Sequence, residues 1–68
     1  MTDREFLRRL RRYARQRGLP IEYVPASGKG SHAGIWLGGR RTFVPRGELR
    51  LGTLRSMLRD LDIDKKDF

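Results

Sequence analysis

One stretch of alternating side chains, HAGIWLGGRRTFVP, constrains the fold more than any other part of the chain. Its Gly38-Gly39 pair predicts a two-residue hairpin turn, because such turns need positive φ angles. The runs on either side are then two antiparallel strands, His32–Leu37 and Arg40–Pro45. The turn length sets the register in which these strands pair.

This register sorts the side chains of the hairpin into two faces, because successive residues of a strand point to opposite sides. Ile35 is expected to lie opposite Thr42, and Ala33 opposite Val44. That face is the better candidate for the core. The side chains expected on the other face are His32, Trp36, Arg41 and Phe43. Alternatively, the two aromatic residues are themselves part of the core.

Helical patterns flank the strands. Asp3–Arg17 is predicted to be a helix, with Thr2 and Glu5 at capping-box spacing and Gly18 as its natural end. Its apolar positions are Phe6, Leu7, Leu10, Tyr13 and Ala14. A second helix is predicted at Thr53–Leu61. Its apolar positions are Leu54, Met57, Leu58 and Leu61.

Shorter segments complete the order of elements. Ile21–Val24 is predicted to be a strand, and Pro25–Gly30 a loop. Arg46–Arg50 is a basic loop, and Asp62–Phe68 is expected to be a turn and a short, frayed helical end. The order α-β-β-β-α predicts one α+β domain over residues 1–68. Its three-stranded antiparallel sheet should carry both helices on one face.

Composition narrows the class of protein. No stretch approaches the about 20 apolar residues of a membrane span, no signal peptide is visible, and there is no cysteine. We therefore expect a cytoplasmic protein with no membrane partner. The formal net charge is +8, and thirteen of the 16 basic residues are arginine. Codon bias can explain the preference for arginine but not the excess charge, so nucleic acid is the expected partner.

The one histidine of the chain, His32, follows a GKGS segment at residues 28–31. Histidine titrates near neutral pH and can donate or accept a proton in catalysis. The same residue is also compatible with an exposed strand position that has no chemical role. Likewise, Gly28 and Gly30 fit either an ordinary turn or a loop whose backbone approaches a phosphate closely.

Several segments resemble the HicA family, the small ribonuclease toxins of toxin–antitoxin pairs. They are GSH at 30–32, VP at 44–45, EL at 48–49, GTL at 52–54 and the final DF. The resemblance covers roughly residues 28–68 and the position of the first helix. It implies a double-stranded-RNA-binding-domain-like fold and cleavage of mRNA without a metal or other cofactor. It also implies His32 as the catalytic residue and a HicB-type antitoxin as partner.

Two positions depart from the family pattern. Many HicA proteins carry a second histidine directly after the first, whereas this chain has Ala33, which leaves a single imidazole. Many end the last main helix with glycine, whereas this chain has Asp62. Asp62 must then adopt a left-handed conformation, which aspartate tolerates better than most residues.

The predicted RNA contacts come mostly from basic side chains, with one aromatic side chain and two small residues of the loop before His32. The predicted RNA-binding residues are Arg8, Arg12, Lys29, Gly30, Ser31, Trp36, Arg40, Arg41 and Arg46. Lys29 and Arg41 are the candidates for stabilising phosphorane charge near His32. A second proton carrier would be water, Tyr23 or Lys29. Trp36 either stacks on an unpaired base or is structural.

Two further features leave alternatives open. The arginine face of the first helix either tracks phosphates or is merely solvated. The spacing of Asp60, Asp62 and Asp64 resembles the start of a calcium-binding loop, but the glycine and the distal glutamate of such a loop are missing. We therefore expect helix-end and cap roles for these aspartates, and no metal site. The alternative function is a non-catalytic RNA-binding module of the same fold. Such a module has no use for His32, so this residue discriminates between the two.

Overall fold

A computed structural model of the chain describes residues 1–25 and 32–68. The elements are α1 (Asp3–Arg17), β1 (Ile21–Val24), β2 (His32–Leu37), β3 (Arg40–Pro45), α2 (Leu51–Asp60) and a 3₁₀ turn (Lys65–Asp67). The predicted α-β-β-β-α order is confirmed, with one three-stranded antiparallel sheet in the order β1-β2-β3. The predicted bounds of the first helix and of all three strands are also confirmed. Most of the predicted loop Pro25–Gly30 lies outside the described residues.

Helix α1 begins and ends where its sequence predicts. The Thr2 hydroxyl accepts a hydrogen bond from the Glu5 amide at 3.2 Å, and the Glu5 carboxylate accepts one from the Thr2 amide at 3.4 Å. Gly18 follows the last helical residue in a left-handed conformation, with φ of 66°. The helix buries Phe6, Leu10 and Ala14.

The hairpin has the predicted turn and register. Gly38 and Gly39 have φ angles of 55° and 88°, which suit a two-residue turn between twisted strands. Ile35 pairs with Thr42, and Ala33 pairs with Val44. All four of these side chains are buried, so this face forms the sheet's contribution to the core.

Both helices cover that face of the sheet. The buried cluster comprises Phe6, Leu10, Ala14, Ile35, Leu37, Val44, Leu49, Met57, Leu58, Leu61 and Ile63. Thr42 is the one polar member of the described core, and its hydroxyl donates to the Asp60 carboxylate at 3.0 Å. This bond ties β3 to the end of α2.

The predicted start of α2 is wrong. The helix begins at Leu51 rather than Thr53 and ends at Asp60 rather than Leu61. Glycine is a poor helix former, which makes Gly52 look like a boundary. However, Leu49 is buried and its amide donates to the Met1 carbonyl at 2.8 Å. This long-range contact fixes the chain just before α2 and lets the helix start earlier.

The C-terminal segment is helical as predicted but docked rather than frayed. The Phe68 ring lies 5.1 Å from the ring of Phe6. The Arg9 guanidinium stacks on Phe68 at 4.9 Å and donates to its backbone oxygen at 2.6 Å. Asp62 has the expected left-handed conformation, with φ of 58°.

The start of α1 is bound to the loop after β3. Thr2 forms an isolated β-bridge with Glu48, and the Asp3 amide donates to the Gly47 carbonyl at 2.9 Å. The Met1 α-amino group donates to the Glu48 carboxylate, which raises the pKa of that amino group. These contacts hold the start of α1 at the sheet end where β3 finishes and β2 begins. Within residues 1–25 and 32–68, neither α-helix has the length and apolar content that crossing a bilayer requires.

Candidate nucleic-acid interface

His32 is the first residue of β2 and is exposed. Its neighbour Ala33 is buried beneath the helices, so the imidazole points to the opposite side of the sheet. Its partner across the hairpin is Pro45. The predicted orientation of His32, away from the helix-covered face, is confirmed.

The side of the sheet that carries His32 is called here the outer face. It consists of Glu22 and Val24 from β1, His32, Gly34 and Trp36 from β2, and Arg41, Phe43 and Pro45 from β3. Three large apolar side chains are exposed on it: Val24 is 43% exposed, Trp36 41% and Phe43 55%. Trp36 and Phe43 are therefore not part of the core. Exposed apolar side chains grouped in this way often mark a binding surface.

Arg41 joins the two aromatic residues of the outer face. Its guanidinium carbon lies 5.0 Å from the centre of the Trp36 ring and 5.2 Å from that of Phe43. Stacking of this kind fixes a planar cation without hiding its charge. The ion pairs of the described residues do not include Arg41, so its donors are available to an anionic ligand.

The hairpin arginines fall at different places relative to His32. Arg41 shares its face but pairs with Trp36, four residues along β2. Arg40 pairs with Leu37 at the far end and forms an ion pair with Asp62 at 3.5 Å, so the fold does not bring it to His32. Arg46 directly follows Pro45, the strand partner of His32, and is exposed at the same end of the sheet.

Apart from Arg12, the arginines of α1 fall into two groups. Arg9 and Arg17 contact the C-terminal segment, since Arg9 donates to the Phe68 backbone oxygen and Arg17 approaches Asp67 at 3.7 Å. Arg17 also stacks on Tyr13 of its own helix at 4.1 Å. The other group, here called the helix groove, lines a shallow depression. Its residues are Arg4, Leu7, Arg8, Arg11 and Arg15.

The helix groove contains one of the two predicted α1 residues. Arg8 lines it, whereas Arg12 is exposed outside it. Arg11 and Arg15 belong to the arginine face predicted for this helix, whereas sequence reasoning missed Arg4 as a member of the same surface. Its signal is the spacing, since residues four, seven and eleven positions after Arg4 fall on one side of a helix.

Tyr23 is separated from His32 by the sheet. It pairs with the buried Ile35, and it lines a small cavity of the helix side together with Arg4 and Leu7. The fold therefore does not bring this phenol to the imidazole as a second proton carrier. Of the remaining predicted contacts, Lys29, Gly30 and Ser31 lie outside the described residues.

The three aspartates near the C-terminus have the predicted helix-end and cap roles. Asp60 accepts from Thr42, Asp62 pairs with Arg40, and Asp64 accepts from the Lys66 amide at 3.0 Å at the start of the 3₁₀ turn. No cluster of three or more histidine, cysteine or acidic side chains suited to a metal ion occurs in the described ranges.

The outer face and the helix groove thus lie on opposite sides of the sheet and approach each other at the end that carries His32. The outer face offers flat apolar rings with a stacked guanidinium, and the helix groove offers a row of cations. Comparison with family models, with curated proteins and with solved structures finds no match to this chain.

Proposed function

We propose that the protein is a metal-independent endoribonuclease of the HicA type, which cleaves mRNA and so inhibits translation. The observation that carries this proposal is the exposed His32 at one end of an outer face built from exposed aromatic side chains and Arg41. A net charge of +8 attracts a polyanion to such a surface. The resemblance of the GSH, VP and GTL segments to HicA toxins supports the same function.

The reaction that fits one imidazole is attack by the RNA's own 2′-hydroxyl. Neutral His32 accepts the 2′-hydroxyl proton while the 2′-oxygen bonds to the adjacent phosphorus. The bond from phosphorus to the 5′-oxygen then breaks. A second proton carrier protonates that oxygen, and the products are a 2′,3′-cyclic phosphate and a 5′-hydroxyl.

Water is the proposed second proton carrier, with Lys29 as the alternative. Tyr23 is excluded as the second proton carrier because its side chain lies on the helix-covered side of the sheet. Water is a weaker acid than an imidazolium, so we expect slow turnover. Arg46, next to the strand partner of His32, is a candidate for stabilising the charge on the phosphorane.

A HicB-type antitoxin is the proposed partner, in addition to mRNA. A nuclease that cuts cellular messages needs an inhibitor, and an acidic protein is drawn to a domain of this charge. Covering His32 is the simplest way to inhibit it, because RNA then cannot reach the imidazole.

The test compares wild type with His32→Gln and His32→Ala in growth assays and on RNA gels. Both variants should lose toxicity and cleavage but keep the wild-type circular dichroism spectrum, because His32 is exposed and contributes nothing to the core. Wild-type cleavage should persist in excess EDTA and leave a 2′,3′-cyclic phosphate or a 3′-phosphate.

Gln16→Ala is the matched control, since Gln16 is exposed on α1 away from the outer face. It should behave as wild type. A His32 variant that cuts RNA as fast as wild type would overturn the catalytic assignment. RNA binding without cleavage by the wild-type protein would favour the non-catalytic RNA-binding module.

A further inference from the structure

Gly34 occupies the middle of β2 although its backbone does not need a glycine. It is not among the glycines with positive φ. Glycine in the interior of a strand weakens it, and often marks a place where a ligand approaches the backbone closely. A Cβ atom placed at Gly34 would lie 3.9 Å from the Val24 Cβ, with no closer atom among the described residues. A methyl group would therefore fit the folded protein.

The missing side chain leaves a notch in the centre of the outer face. Along β2 the notch is bounded by His32 and Trp36, each two residues away and so about 6.7 Å from Gly34. Across the sheet it is bounded by Val24 and Phe43, the strand partners of Gly34. Its floor is peptide backbone, and its walls are mostly apolar or aromatic.

We propose that this notch binds one unpaired nucleobase of the RNA and so sets the position of the adjacent ribose at His32. This inference rests on the proposed function, because it makes the bound nucleotide part of the substrate of His32. Bases of single-stranded RNA are commonly held by stacking on aromatic side chains, including those displayed on a sheet face. Both Trp36 and Phe43 present exposed rings for this.

The dimensions of the notch suit a flat ring. His32 and Trp36 are four residues apart, which separates their Cα atoms by about 13 Å. A base in contact with the Trp36 ring lies about 3.5 Å from it. In the proposed arrangement the base lies over Gly34 on the side of His32, where a side chain at position 34 would occupy the same space.

Charge favours RNA over a protein as the occupant. The Arg41 guanidinium lies beside both rings, where it can meet a phosphate next to the stacked base. A second copy of this chain would bring two molecules of net charge +8 together, which opposes self-association through this face.

The experiment compares Gly34→Ala with Gly52→Ala. Gly52 lies in α2, also lacks a positive φ, and has no atom within 4 Å of the position that a Cβ would take. The probe is a short single-stranded RNA with 2′-O-methyl sugars, which binds but cannot be cleaved. Trp36 is the single tryptophan of the chain, so quenching of its fluorescence reports on stacking in the notch.

Gly34→Ala should bind the probe about tenfold more weakly or worse, as expected for disturbing one stacked base, and should cut RNA correspondingly more slowly. Its midpoint of thermal unfolding should equal or exceed that of wild type, because alanine suits a strand better than glycine. Gly52→Ala should bind the probe as wild type does. Phe43→Leu, which keeps an apolar side chain but removes the ring, should also weaken binding.

Unchanged probe affinity and quenching in Gly34→Ala would overturn the notch while leaving the nuclease proposal intact. Loss of probe binding by Gly34→Ala in a protein that never cleaves RNA would support the notch and overturn the proposed nuclease. If Gly34→Ala instead abolishes self-association seen by sedimentation and leaves probe binding unchanged, the outer face is a protein interface and the proposal is wrong.

Discussion

At the scale of single residues, strand alternation places neighbouring side chains in different environments, one in the core and the next on the surface. Arg41 and Phe43 are exposed on the outer face, whereas Thr42 between them is 2% exposed and faces α2. The Asp60 carboxylate accepts a hydrogen bond from the Thr42 hydroxyl. Its position is otherwise unfavourable, because the helix dipole disfavours a negative charge near a helix C-terminus. We infer that Asp60 is present because Thr42 needs an acceptor.

Asp60→Ala should therefore lower the free energy of unfolding by about 1–2 kcal/mol, because it leaves a buried hydroxyl without a partner. Thermal unfolding measures this change, at about 4–8 °C per kcal/mol for a domain of this size. Thr42→Val added to Asp60→Ala should restore most of the loss, since it removes the unsatisfied group. Arg59→Ala, at the neighbouring exposed position, is the control. If the double variant is no more stable than Asp60→Ala, the hydrogen bond is not the cause.

How much of the fold could be predicted from the sequence depends on whether the determining contact is local. The hairpin register follows from Gly38-Gly39 and alternation, so the outward orientation of His32 was predictable. The start of α2 depends on the bond between Leu49 and Met1, far apart in the chain. The division of the α1 arginines likewise depends on where Phe68 docks, which no local pattern indicates.

At the scale of elements, α1 carries two surfaces with different roles. One side supplies Phe6, Leu10 and Ala14 to the core, and the helix groove presents a row of cations to solvent. Arginines in such a row can follow the phosphates of one strand. The groove meets the His32 end of the sheet through Arg4, in the first turn of α1.

The triple variant Arg8→Gln, Arg11→Gln and Arg15→Gln should flatten the salt dependence of RNA affinity. Each lost phosphate contact on a single strand reduces the log–log slope by about 0.7, so the slope should fall by about 2. Fluorescence titrations over a series of salt concentrations measure it.

The matched control changes the same charge on α2 and its N-cap, with Arg50, Arg55 and Arg59 replaced by glutamine. These three residues are exposed, and the control should keep a slope close to that of wild type. Equal flattening in both variants would mean that RNA senses the overall charge and makes no particular contact with the helix groove.

At the scale of the whole molecule, the charge and the position of His32 together predict where the proposed inhibitor binds. An acidic partner associates fastest at low salt with a domain of net charge +8. His32 lies at the sheet end that also presents Arg46 and the start of α1. We expect the inhibitor to cover this end.

Histidine-resolved NMR tests this expectation, because the chain has a single imidazole and its signal needs no further assignment. Solvent paramagnetic probes should broaden the exposed His32 signal of the protein alone but leave that signal unchanged in the complex. The rate of complex formation should fall as salt is added. An inactive complex in which the imidazole responds as before would show that inhibition works by distorting the site rather than by covering it.

The docking of Phe68 on α1 has a consequence for the order of events during synthesis. The ribosome makes α1 before the groups that hold it, Leu49 and Phe68, which emerge much later. Ile35, Leu37 and Val44 of the sheet can cover part of α1 earlier, but its contacts with Leu49 and Phe68 form last. The packing of α1 is therefore complete only once Phe68 has been added, long after the residues of the helix itself.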